Sequence, residues 1–203
     1  MILSPPRVES HGYQTNETLR VYDAVLRDPA FFRFLLRIDQ ELAAETRRAG
    51  CPHCGGALHV SDFPRKPRGC PATVVEDYSS RFSFTCGRCD QRATSASVRF
   101  LGRRVYVAAA LVLSSPLQGR SARQLCAVLS IPRRTLVRWR RWWTEEFLRT
   151  RFWQAVRNRF VPPVSRSQLP LSLLERFRLE SPADRLAQAL RFLAPLSVPS
   201  MVK

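Results

Sequence analysis

The chain has 203 residues, with 33 Lys and Arg against 16 Asp and Glu, a formal net charge of +17, and 45% hydrophobic residues. That length holds one ordinary domain or two small ones, and that apolar content excludes a disordered basic tail. The most apolar run, Val105 to Leu113, falls well short of the about 20 residues that a membrane-spanning helix needs. Met1-Ile2-Leu3-Ser4-Pro5-Pro6 lacks the basic start and apolar stretch of a secretory signal.

In chain order, Asn16 is placed to cap a helix from Glu17 to about Arg27. Asp28 and Pro29 begin a second helix over about 29–48, with Gly50 as its stop. This helix sets Phe31, Phe34, Leu35, Ile38 and Leu42 near one face. Residues 1–50 balance seven Arg against seven acids, so they read as a neutral, core-forming helical segment.

Residues 51–101 change character. Cys51-Pro52-His53-Cys54-Gly55-Gly56 is followed, with 31 residues between Cys54 and Cys86, by Cys86-Gly87-Arg88-Cys89. In the reducing cytoplasm such cysteines read as metal ligands before they read as disulfides. Each Cys-x-x-Cys pair can form a tight knuckle, and the thiolates of Cys51, Cys54, Cys86 and Cys89 fill a tetrahedral site. Such a site is closed, so it implies one structural zinc ion per chain and not a catalytic one. Residues 57–60, 81–85 and 98–100 read as short strands beside the knuckles, which is the layout of a zinc ribbon. His53 and His59 read as surface or strand residues and Cys70 as a spare loop thiol; whether His59 or Cys70 touches the metal is open at this point.

Residues 102–147 carry the next pattern. Val105 to Leu113 reads as an apolar support helix, and Pro116 and Gly119 mark a turn. Ser121, with Gln124 at the capping-box position, begins a helix whose apolar face holds Leu125 and Leu129. Ser130 and Ile131 form a turn, and Pro132 opens a second helix that packs Leu136 and Trp139 inward. This spacing resembles that of a helix-turn-helix. In such a motif the second helix enters the major groove of double-stranded DNA with its N-terminal residues at the base edges. The candidate DNA contacts are therefore Arg123, Arg133, Arg134, Thr135, Arg138, Arg140 and Arg141. Trp139, Trp142 and Trp143 lie close together and read as core. Residues 148–203 hold further helical patches near 150–160, 170–178 and 183–193, whose Leu171, Leu174, Phe177, Leu186, Leu190, Phe192 and Leu193 are candidates for docking a partner or a second copy in a homodimer.

The charge follows this division. Residues 51–160 hold 20 basic residues against six acids, and from Gln91 to Thr144 there are eleven Arg and no Asp or Glu. A solvated face laced with ion pairs does not produce so long an acid-free run. Arg also suits bidentate phosphate and guanine contacts, although codon usage in a GC-rich genome accounts for part of the excess of Arg over Lys.

Cys51, Cys54, Cys86 and Cys89, together with the stretch Ser121 to Trp143, resemble the small zinc-ribbon plus helix-turn-helix proteins and transposase N-terminal modules of bacterial insertion elements. The resemblance covers about 51–147 and departs at Ser130, where Gly is usual, and at Cys126, where Ala is usual. It implies recognition of DNA sites. The residue patterns predict a mainly α fold with a small β zinc ribbon and a helix-turn-helix bundle, and the expected location is the cytoplasm, associated with the nucleoid. A transposase also needs three spaced carboxylates on an RNase H-like domain. After the helix-turn-helix only Glu145, Glu146, Glu175, Glu180 and Asp184 remain, on helical patterning. The expectation is therefore a DNA-binding accessory of a mobile element without catalytic residues, working with a separately encoded recombinase or transposase. A stand-alone transcriptional regulator and a truncated transposase are the alternatives.

Overall fold

The computed structural model describes residues 22–101 and 121–198. The Asn16 cap, the Val105–Leu113 support helix and the turn at Pro116 and Gly119 lie outside them. The described part is mainly helical with a small antiparallel sheet. None of its helices is long and apolar enough to cross a membrane.

Helix α1 (residues 22–27) leads into α2 (Pro29–Ala49). Asp28 Oδ1 accepts from the Ala30 amide at 2.8 Å and so caps α2. Gly50 ends it at φ 76°, a left-handed conformation that glycine adopts without steric cost. Phe31, Phe32, Leu35 and Ile38 are buried, while the expected Phe34 and Leu42 are partly buried.

Strands β1 (Leu58–Val60), β4 (Ser83–Cys86) and β5 (Arg92–Thr94) form an antiparallel sheet with β4 central. Leu58 faces Cys86, and Phe84 faces both Val60 and Ala93. Strands β2 (Phe63–Pro64) and β3 (Ser80–Arg81) pair separately. The Arg92 guanidinium lies 3.6 Å from the Phe63 ring centroid and ties the two sheets together.

The strand expected at 98–100 does not form; β5 is the strand that leaves the second knuckle. Val98, Arg99 and Phe100 are all buried, whereas a strand turns successive side chains to opposite faces. The Val98 amide goes to Asp39 Oδ1 at 2.6 Å, and the Phe100 amide to Ser97 Oγ at 3.1 Å. Side chains thus take the hydrogen bonds that a strand would give to a neighbour.

Helix α3 (Ala122–Val128) and helix α4 (Arg133–Arg141) are joined by a short turn. A π-helical turn, Trp142–Glu146, and a last turn, Phe147–Arg149, continue α4. Trp139, Trp143 and Phe147 are buried at steps of four residues. Steps of four drift by about 40° each around an α-helix, and the wider π-turn absorbs that drift. The Trp143 and Phe147 rings pack edge to face at 4.8 Å between centroids, and Phe147 meets Trp153 at 4.9 Å.

Helices α5 (Arg151–Val156), α6 (Leu171–Leu174) and α7 (Pro182–Leu193) follow, α7 being capped by Ser181. The main core cluster draws on α1, α2, Val74, Tyr78, residues 98–101, α3, α4 and α5 to α7. Leu174, Leu186, Leu190 and Leu193 sit inside it at 1% exposure or less. Of the residues expected to form a docking face, Leu174, Leu186, Leu190 and Leu193 are thus spent on the chain's own core, while Leu171, Phe177 and Phe192 are only partly buried.

A buried polar hub fastens the parts of the chain to each other. Arg99 Nε donates to Asp39 Oδ2 at 2.8 Å with both side chains buried, and Ser97 Oγ donates to the same oxygen at 2.6 Å. Arg99 also donates to the Asp77 carbonyl and lies over the Tyr78, Phe82 and Phe100 rings. Arg81 donates to the carbonyls of Ser95 at 3.1 Å and Ser197 at 2.7 Å. Burial lowers the Arg81 guanidinium to about 10. Through Asp39, Arg99, Arg81 and Ser197, α2, the sheet region and the C-terminal turn share one network.

Candidate metal centre and nucleic-acid interface

The two knuckles have the same backbone. Gly55 N donates to Cys51 O at 2.8 Å, as Asp90 N does to Cys86 O at 3.1 Å. Cys51 N donates to Gly56 O at 2.9 Å, as Cys86 N does to Gln91 O at 3.0 Å. The fifth residue of each, Gly55 at φ 70° and Asp90 at φ 54°, is left-handed, a conformation that Gly adopts freely and Asp tolerates. Both knuckles therefore turn their sulfurs toward a common point.

The sulfurs of Cys51, Cys54, Cys86 and Cys89 lie within 4.8 Å of one another, in a geometry that can hold a metal ion. Separations of 3.6 Å (Cys51–Cys89), 3.5 Å (Cys54–Cys86) and 3.4 Å (Cys54–Cys89) are close to the edge of about 3.8 Å that four thiolates around tetrahedral zinc would have. The Arg88 amide points at Cys86 Sγ at 3.3 Å. It and the Cys89 amide pull the Cys86 thiol down to about 6. The Cys89 thiol goes the other way, to about 12: the Gln91 amide opposes the shift, but the sulfurs of Cys54, Cys51 and Cys86 crowd it. A cation is what lets four such neighbours carry thiolate charge together.

Cys70 is outside this cluster, its thiol pushed up by burial. His59 is outside it too; its ring instead lies against Gly87, where a Cβ would meet Nε2 at 2.7 Å. Gly56 has no room to spare, since a Cβ there would come within 3.0 Å of Arg88 Cβ, 3.1 Å of Cys86 Sγ and 3.3 Å of Cys54 Sγ. Gly56→Ala is therefore expected to push two sulfurs apart and weaken metal retention about tenfold, measured by competition with a chromogenic chelator. Retention equal to that of the unmodified chain would show that the knuckle has slack there.

The second candidate region is α3 and α4. Ser121 Oγ accepts from the Gln124 amide at 3.3 Å, and Gln124 Oε1 accepts from the Ser121 amide at 2.9 Å, closing the capping box. Leu125, Leu129, Ile131, Leu136 and Trp139 are buried, and Cys126 packs partly buried against them. Ser130, at φ 50°, holds the left-handed position of the turn. Its neighbour Ile131 N donates to Cys126 O at 3.0 Å.

Arg123, Arg133, Arg134 and Arg141 are exposed, while Arg138 and Arg140 are half-buried. Arg141 Nε is 2.8 Å from Glu145 Oε2, an exposed i,i+4 pair that occupies part of its charge. Thr135 departs from the rest: it is buried at 3% exposure and lies on the inward side of α4, away from the arginine face. Its position four residues before Trp139 is the helical signal that puts it there. Val137, by contrast, is 58% exposed in the middle of that face.

Comparison with protein-family models, with curated proteins and with solved structures returned no match.

Proposed function

We propose that the chain is a zinc-stabilised, non-catalytic protein that binds duplex DNA at the sites of a bacterial mobile element. The observation that carries this reading is the outer face of α4. Arg133, Arg134 and Arg141 are exposed there, with Arg138 and Arg140 beside them, inside a stretch from Gln91 to Thr144 without a single acid. The buried side of the same helix anchors it through Thr135, Leu136 and Trp139, so the arginines stand on a rigid support. The capped α3, the left-handed Ser130 and α4 act as a helix-turn-helix, with α4 laid in the major groove.

Cys51, Cys54, Cys86 and Cys89 hold one structural zinc ion in a zinc ribbon. The metal does no chemistry; it folds a sheet too small to fold alone. Strand exchange falls to a separately encoded recombinase or transposase, which meets this chain, as a monomer or homodimer, on a surface other than the buried C-terminal leucines. The protein acts on the nucleoid in the cytoplasm.

The double replacement Arg133→Ala, Arg134→Ala tests the reading. Both side chains are exposed, so the fold is expected to persist. Duplex affinity is expected to fall at least tenfold, from two lost charged contacts of about 1 kcal/mol or more each. Fluorescence anisotropy with a labelled duplex reads the change. Unchanged affinity would remove α4 as the recognition element.

A further inference from the structure

The arginines of α4 surround one aliphatic side chain. At 100° per residue, Val137 falls between Arg133 and Arg141, one turn from each, on the side opposite the buried Thr135, Leu136 and Trp139. Val137 is 58% exposed. Among the described residues the other exposed large aliphatics, Val60, Val75, Val161 and Leu179, lie on other elements. A branched apolar residue has a mild cost in a helix and gains nothing from solvent. At this place a guanidinium, as in the four residues around it, would add to phosphate affinity.

We infer that Val137 is a specificity-determining residue: its methyl groups meet the C5-methyl of a thymine in the major groove, next to the arginines that hold phosphates and guanines. This deepens the DNA-binding reading and rests on it. The chemistry is direct. In the major groove thymine alone of the four bases presents a methyl group, and an apolar side chain is its natural partner. Arginine cannot supply this contact, because its donors seek O6 and N7 of guanine or the phosphates. Burial of one methyl group corresponds to roughly a fourfold preference. A face of Arg, Arg, Val and Arg therefore selects sites in which a thymine lies close to guanine.

The test uses the full chain and a random-core duplex library prepared in two forms, one with thymine and one with deoxyuridine in its place. Deoxyuridine pairs identically and lacks only the methyl. The expected result is roughly threefold to fivefold weaker retention of the deoxyuridine library. The expected effect in Val137→Ser is loss of that difference, and in Val137→Thr, which keeps one methyl, partial recovery. Duplex binding with equal retention of both libraries overturns the inference and leaves the DNA-binding reading in place. So does a thymine dependence that survives Val137→Ser. Absence of duplex binding by the unmodified chain overturns both.

Discussion

Replacement of Cys86 by serine is expected to unfold the sheet and both knuckles and to release the metal. Cys86 is fully buried and sits in β4, the strand that pairs with both β1 and β5. Among the described residues, the buried members of the apolar cluster beneath the site are Ala43, Cys51, Leu58, Phe84, Cys86 and Ala93, with Cys54, Phe82 and Cys89 packed against them. Two of these six buried residues, Cys51 and Cys86, belong to the candidate metal cluster, and strands of three or four residues bring little stability of their own. Binding of a structural zinc ion contributes about 10–16 kcal/mol at neutral pH, as much as the whole stability of an ordinary domain. Metal content, together with limited proteolysis across 51–94, is the measurement. The unmodified chain is expected to carry one zinc ion and resist cleavage there, and Cys86→Ser to carry none and be cut. Cys70→Ser supplies the control, since Cys70 lies outside the ligand cluster. Equal zinc content and protection in Cys86→Ser would sink the assignment.

The second large effect is expected at Asp39. Its carboxylate receives Arg99 Nε, Ser97 Oγ and the Val98 amide, all at 2.8 Å or less. Asp39→Ala leaves the Arg99 guanidinium buried without its counter-charge, and breaking one partner of a buried pair costs about 3–5 kcal/mol. That is a large share of the about 5–15 kcal/mol by which domains are stable. The sign can be checked with a second variant. Adding Arg99→Met to Asp39→Ala removes the stranded charge, so the double variant is expected to be more stable than Asp39→Ala alone. Denaturant midpoints of the three proteins read the order. A loss below about 1 kcal/mol in Asp39→Ala would mean that water or another group reaches Arg99 as easily as Asp39 does.

How far the sequence disclosed this arrangement depended on the range of the interaction. The knuckles were legible because ligand spacing is local and the chemistry of zinc permits few donor sets. The cap at Asp28 and the capping box at Ser121 were legible for the same reason: each is closed within three residues. The hub was not. Asp39 and Arg99 are 60 residues apart, and Ser97 and Ser197 are 100 apart. On α2, Asp39 has the look of a solvated acid, and nothing nearby shows that a serine and an arginine will close over it. The strand expected at 98–100 failed on that account, since its apolar residues serve the hub and the core instead of a ladder. Thr135 differs from the expected arginine face for another physical reason: it is buried. Proximity to Arg133 and Arg134 in the chain points to a shared face, while the helical period sets it with Trp139. The C-terminal leucines were legible as apolar but not as to what they cover, because amphipathic helices look alike whether they meet their own chain or another.

Salt dependence of duplex binding by the zinc-loaded full chain tests the central claim most directly. Arg123, Arg133, Arg134, Arg138, Arg140 and Arg141 are the residues assigned to DNA, and each phosphate contact adds about −0.9 to the slope of log affinity against log salt. With most of the six engaged, a slope of about −4 to −5 is expected between about 50 and 200 mM salt. It should become shallower by about two in the Arg133→Ala, Arg134→Ala protein. Absence of duplex binding at low salt, or a slope near zero that the double replacement leaves unchanged, would contradict the account.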